Sequence, residues 1–217
     1  MIRTYINRIS VFFSATAAAV AVATLAWGAQ AAPLTKTQLA DVERIEEYLN
    51  SIRTLKARFL QVSSNGEYAE GDIRLSRPGK LRLDYAPPVP ILILVTGSVV
   101  LYYDKELKQA QYIGTDQTPA AILVKDKIQL RGGDVTIAEY ERGADALRLT
   151  LTKTADPGAG SMTLVFSDKP LVLRKWSVTD AQGLTTNVAL MAAKFGAEIE
   201  SKAFEFEPPK PDQSHSN

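Results

Sequence analysis

The residues that most enzymes use for proton transfer, nucleophilic attack or metal binding are scarce in this chain. It has no cysteine and one histidine, His215, close to the C-terminus. A Ser-His-Asp triad, a histidine metal site and thiolate chemistry are therefore all without their key group. Carboxylates are plentiful, but Asp72, Asp84, Glu139 and Glu141 lie among alternating residues and read as solvated strand faces rather than a catalytic pair. Gly132-Gly133 is a lone dipeptide and not a phosphate loop. These absences argue against an enzyme, and no cofactor or metal is expected.

One charged residue stands out by its phase. In EGDIRLSRPGKLRLDY, residues 70–85, side-chain alternation puts Gly71, Ile73, Leu75 and Arg77 on one face of a strand. An apolar face thus ends in a guanidinium. Pro78 cannot donate to a ladder and Gly79 tolerates positive φ, so the strand stops there. Leu81, Leu83 and Tyr85 then resume the apolar face, with Lys80, Arg82 and Asp84 outward. Two readings of Arg77 stay open. It is an edge arginine pointing at water, or a latch whose five fixed N–H donors hold a neighbouring segment by its backbone carbonyls.

The rest of the chain must position this arginine. Arg3 and Arg8, an apolar run from Val11 to Leu25 and Gly28-Ala29-Gln30-Ala31 form a secretory signal peptide, with cleavage expected after Ala31. The expected organisation is a signal peptide at 1–31, one domain at 32–207 and a disordered tail at 208–217. About 185 mature residues suffice to bury roughly 70% of the unfolded surface without disulfides. The formal net charge of +1 falls to about −1 when the signal arginines are removed, so there is no basic footprint for nucleic acid.

Thr35 and Thr37 precede Leu39, Val42, Ile45, Leu49 and Ile52, spaced by three and four, which predicts an amphipathic helix. The period then changes to two. Leu55 to Val62 is a strand, Ile91–Val95 and Val99–Tyr103 form a hairpin about Gly97-Ser98, and Gln109–Ile113 is a further strand. Because Ile91–Val95 is apolar on both faces it needs two covers, one of which can be a cavity or a lid. Thr118-Pro119 predicts the start of a short helix through Val124, interrupted by Lys125 to Lys127, with Ile128 and Leu130 as its extension and Gly132-Gly133 as its end. From Val135 onward the pattern predicts an antiparallel meander, whose last strand is Ala203–Phe206. A curved sheet with an apolar inner face and few helices suits a lipid, since each buried CH₂ contributes roughly 0.8 kcal/mol.

Several motifs, in this order, resemble the periplasmic outer-membrane lipoprotein carriers, the LolA family. They are Ala57-x-Phe59-x-Gln61, Gly71-x-Ile73-x-Leu75-x-Arg77-Pro78 with Leu81-x-Leu83, and Leu94-Val95 with Gly97. Thr118-Pro119 with Ile122-Leu123 and Phe204-x-Phe206-x-Pro208-Pro209 complete the set. The resemblance implies an α+β fold: an incomplete, half-open antiparallel β-barrel, with an N-terminal helix and a short helical lid enclosing an apolar cavity. It implies acylated lipoproteins as cargo, taken from an inner-membrane lipoprotein-releasing ABC transporter and passed to an outer-membrane lipoprotein receptor by a periplasmic monomer. It makes Arg77 the lid latch, and Pro119, Ile122 and Leu123 the lid. The cavity wall is expected from Phe59, Ile73 and Leu75, from Leu81, Leu83 and Tyr85, and from Ile93 and Trp176. Where well-known members carry aromatics after Arg-Pro, this chain has Leu81 and Leu83. A periplasmic lipid or lipopeptide sensor of the same fold is the alternative, and a carboxylate-dependent hydrolase a third reading.

Overall fold

The computed structural model describes residues 33–208; the expected signal peptide and all but Pro208 of the expected tail lie outside these residues. Helix α1 (Lys36–Ser51) starts at Thr35, whose hydroxyl accepts from the Gln38 N–H while the Gln38 side chain accepts from the Thr35 N–H, a reciprocal cap. Eleven strands follow. The first six are β1 (Thr54–Ser63), β2 (Tyr68–Ser76), β3 (Lys80–Tyr85), β4 (Ile91–Thr96), β5 (Val99–Asp104) and β6 (Gln109–Gly114). The last five are β7 (Val135–Arg142), β8 (Ala146–Lys153), β9 (Gly160–Ser167), β10 (Val172–Asp180) and β11 (Thr185–Phe195). They form one antiparallel sheet in the order β6-β5-β4-β3-β2-β1-β11-β10-β9-β8-β7. Two meanders are thus joined where β1 meets β11.

Alternation decides which face is dry. Leu55, Ala57 and Phe59 of β1, Ile73 and Leu75 of β2, and Leu147, Leu149 and Leu151 of β8 are buried and face the stripe Val42, Ile45 and Leu49 of α1. Gly71 has to be glycine, because a Cβ there would lie 2.1 Å from the Asp84 carbonyl oxygen and 2.9 Å from the Phe59 ring. Phe59 in turn meets Tyr85 edge-on, ring centroids 5.1 Å apart.

The two covers of β4 are both visible. Ile93 and Val95 face inward with Leu83 and Leu81, their partners on β3, while Leu92 and Leu94 face outward. The outer cover is the C-terminal segment: Phe204 packs with Leu92, Leu94, Leu101 and Tyr103, joined by Ile199, Ala203 and Phe206. That corrects the expectation of a strand at Ala203–Phe206, since Ser201–Phe204 is a 3-10 turn and the segment lies across the sheet. A period-two pattern serves here to press alternate side chains onto a surface instead of building a ladder.

The second correction concerns Thr118–Leu130. Thr118 does cap the segment, its hydroxyl accepting from the Ala120 N–H, but Pro119–Val124 is a 3-10 helix and Lys125 leaves it with extended dihedrals. Ile128 and Leu130 are buried without being helical. Side chains of α1 satisfy their main-chain groups. Asn50 accepts from the Ile128 N–H at 2.9 Å and donates to its carbonyl at 2.9 Å, and Glu46 accepts from the Leu130 N–H at 2.7 Å. Hydrogen bonds that a longer helix would have closed internally are supplied by a neighbour.

Candidate functional site

Arg77 follows the last residue of β2 and its side chain turns inward: it is 7% exposed. Its Nη1 donates to the carbonyls of Leu49 at 2.5 Å and Ile52 at 3.1 Å, in the last turn of α1 and just beyond it. Its Nε donates to the Lys125 carbonyl at 2.6 Å and its Nη2 to that of Asp126 at 3.0 Å. The carbonyls at a helix C-terminus lack intrahelical partners and carry the negative end of the helix dipole, so a guanidinium there is favourably placed. Burial is the main influence lowering the Arg77 pKa, with Arg53 acting in the same direction and Asp126 against it. One side chain therefore joins three elements: the sheet, α1 and the segment that follows the 3-10 helix. A main-chain bond lies beside it, the Gly79 N–H donating to the Val124 carbonyl at 2.7 Å, in a turn where Gly79 holds φ at +76°.

Two cavities adjoin the 3-10 helix. The inner one, about 270 Å³, is walled by Leu81, Leu83, Tyr85, Ile93 and Val95 of the sheet, by Trp176 and Val188 across from them, and by Ala121, Leu123 and Val124 of the 3-10 helix. The outer one, about 490 Å³, has Ala121 and Ile122 on one side and Val135, Lys153 and Thr154 on the other. Leu81, Leu83, Tyr85, Ile93, Trp176 and Leu123 thus come together around the inner cavity. Phe59 is fully buried behind Tyr85, and Ile73 and Leu75 are absent from the inner cavity wall and border a small void of about 20 Å³ beneath Leu123 and Ile128. Ile122 faces the outer cavity, and Pro119 opens the 3-10 helix. The inner wall is apolar but for Gln61, Thr115, Thr118 and the tyrosine hydroxyls. Burial pushes the Tyr85 phenol up to about 12, with Tyr102 adding to the rise, and its hydroxyl donates to Gln61 Oε1 at 2.7 Å.

The sequence reading missed a charged knot at the opposite end of α1. Asp41 and Asp168 are buried, and Arg142 bonds both, reaching Asp41 at 2.6 Å and Asp168 at 2.9 Å. Arg44 bonds Asp168, and the Tyr140 hydroxyl donates to Asp41 at 2.5 Å. Burial alone would raise the Asp41 carboxyl; hydrogen bonds from Arg142 and Tyr140 outweigh it and hold the group below its usual range. Asp168 is held low chiefly by Arg44. The only sequence signal was the placement of Asp41 beside Val42, on the helix stripe and not opposite it. Asp84, one of the carboxylates read as solvated, is flanked by Arg74 and Arg82 at 2.9 and 2.8 Å.

The sequence profile of the family described as "Outer membrane lipoprotein carrier protein LolA" matches residues 50–207. The chain is 31% identical over 179 residues to an outer-membrane lipoprotein carrier protein from Dechloromonas aromatica, covering 77% of this chain and 84% of that one. It is 29% identical over 198 residues to the protein of the same name from Pseudomonas aeruginosa, covering 87% and 92%. Among solved structures, a DUF1329 family protein from Desulfovibrio piger shares the fold, with a TM-score of 0.51 at 8% identity over 76% of this chain and 95% of that one.

Proposed function

We propose that this chain, which belongs to the LolA family of outer-membrane lipoprotein carrier proteins, shields the acyl chains of lipoproteins in the periplasm on their way to the outer membrane. The observation that carries this reading is the inner cavity, walled by Leu81, Leu83, Ile93 and Trp176 and closed by a 3-10 helix that Arg77 tethers. An apolar recess of this kind holds hydrocarbon by buried area and needs no catalytic group. Its volume of about 270 Å³ falls short of the ~300–1,000 Å³ usual for ligand sites. Cargo therefore requires the 3-10 helix to move, and because that helix divides the inner cavity from the outer one, its displacement merges the two.

In this reading Arg77 is the latch, Pro119, Ile122 and Leu123 belong to the lid, and residues 1–31 direct export. Loading comes from an inner-membrane transporter and unloading goes to an outer-membrane receptor, with the carrier acting as a monomer. The test is mass spectrometry of what co-purifies with the mature chain from the periplasmic fraction. Triacylated lipopeptides or lipoproteins are the expected finding. Free lipids alone would favour the sensor alternative, and a bound species with no acyl chain would overturn the assignment.

A further inference from the structure

The outer face of the sheet carries a row of cations that the folding argument does not explain. Lys194 of β11 pairs directly with Lys56 of β1, Lys56 with Arg74 of β2, and Arg74 with Arg82 of β3. Like charges directly opposite each other on neighbouring strands oppose pairing, and here three such pairs stand in succession. Strands lie about 4.8 Å apart, so the row spans roughly 14 Å. Its counter-charge is incomplete. Asp84 bonds both Arg74 and Arg82, whereas among the described residues neither Lys56 nor Lys194 has an ion-pair partner. In the next row, Arg58 faces Asp72 across the strands and also bonds Glu70 at 3.1 Å.

The row lies in a groove. Lys56, Arg74 and Arg82 share a recess of about 590 Å³ with Glu198, Ile199 and Lys202 of the C-terminal segment, and a second recess of about 280 Å³ continues past Lys56 to Lys194. The C-terminal segment forms one wall because Phe204 anchors it on the outer face of β4 and β5 and Arg82 donates to the carbonyls of Ala203 and Glu205, both at 3.3 Å. Glu200 is occupied by Lys202 at 2.7 Å. The Arg82 side chain is 19% exposed at the foot of this wall, so a flat bilayer would meet the segment before it met the arginine.

We propose that this groove docks an extended acidic segment of a partner protein, its carboxylates seated along Lys194, Lys56, Arg74 and Arg82. Charge complementarity selects the partner, and recession of the row selects a peptide over a membrane surface. The site lies on the face opposite the inner cavity and does not rest on the acyl-binding reading.

The test is fluorescence anisotropy of a fluorescein-labelled dodecapeptide of alternating Glu and Ser, with Gln replacing Glu in the control. At low ionic strength the mature protein should bind the Glu peptide and not the Gln peptide, and ~0.3 M salt should abolish binding. The double variant Lys56→Gln, Lys194→Gln should bind about tenfold more weakly or worse, since uncompensated cations supply the attraction. Its melting temperature should be unchanged or raised, because repulsion across the strands is relieved. Equal binding of the two peptides, or equal binding by the double variant and the parent, would overturn the proposal. So would a fall in melting temperature, which would make the row structural. Lysine-dependent sedimentation with phosphatidylglycerol vesicles in the absence of peptide binding would reassign the row to lipid headgroups and defeat it as well.

Discussion

Replacing Arg77 by leucine removes a donor from four main-chain carbonyls, yet only two of those bonds bear on the 3-10 helix. The bonds to Leu49 and Ile52 sit within the body of the protein, and their loss costs stability whatever the position of the segment. The bonds to Lys125 and Asp126 exist only while the segment is docked. A hydrogen bond from a charged donor is worth about 1.5 kcal/mol at the low end, so losing two removes about 3 kcal/mol from the closed arrangement, roughly a hundredfold in its ratio to the open one. Asn50 and Glu46 still hold Ile128 and Leu130, which confines the displacement to residues ahead of them. Trp176, 5% exposed on the cavity wall, reports it. The chain has two tryptophans, and in a protein prepared to begin at Ala32, Trp176 is the only one left to fluoresce. Acrylamide should quench it more strongly in Arg77→Leu than in the parent, amides from Ala120 to Val124 should exchange faster, and a fluorescent acyl probe should leave more slowly, because the open state binds. Arg77→Lys keeps the charge without the planar fork and should fall between. Equal quenching and equal probe release in Arg77→Leu and the parent, both folded, would refute the tether.

Leu83→Glu places a carboxylate on the apolar wall of the inner cavity and should weaken binding of a fluorescent fatty-acyl probe at least tenfold; unchanged binding by a folded variant would remove Leu83 from the ligand surface. Asp41 and Asp168 titrate below the normal carboxylate value near 3.8, so the stability they contribute is present above about pH 4 and is lost as pH falls through their folded values. Urea denaturation should therefore show Arg142→Gln less stable than the parent at pH 7 and losing less on acidification to pH 3; parallel pH curves for the two proteins would show that the knot does not couple to folding.

What could be read from sequence was what repeats locally. Arg77 was conspicuous because it continues the phase of Gly71, Ile73 and Leu75, and the same phase carries it inside. Thr118 announced its cap, and the apolar run Ile91–Val95 announced two covers. The identity of the outer cover was out of reach, since Ala203–Phe206 alternates as a strand does and only contact with Leu92 and Tyr103 distinguishes a strap from a ladder. The knot of Asp41, Arg142 and Asp168 joins positions a hundred residues apart, and no local period encodes that. The break at Lys125 was legible, but Ile128 and Leu130 were misread as an extension of the helix because their burial looks the same whether an amide bonds its own turn or the side chain of Asn50.

The pairing of β1 with β11 also sets the order in which the molecule can assemble. Every other neighbour in the sheet is also a neighbour along the chain, so the other nine pairings close over short loops. Leu60, by contrast, must find Ala189, and Val62 must find Asn187. Contacts so distant in sequence are slow to form. A chain that emerges from its N-terminus presents β1 first and completes its ladder last, leaving a bare strand edge for the duration, the feature through which chains stick to one another. A member of a lipoprotein-carrier family thus passes through an interval in which it is itself in need of shelter, and that interval ends when Thr185–Phe195 arrives.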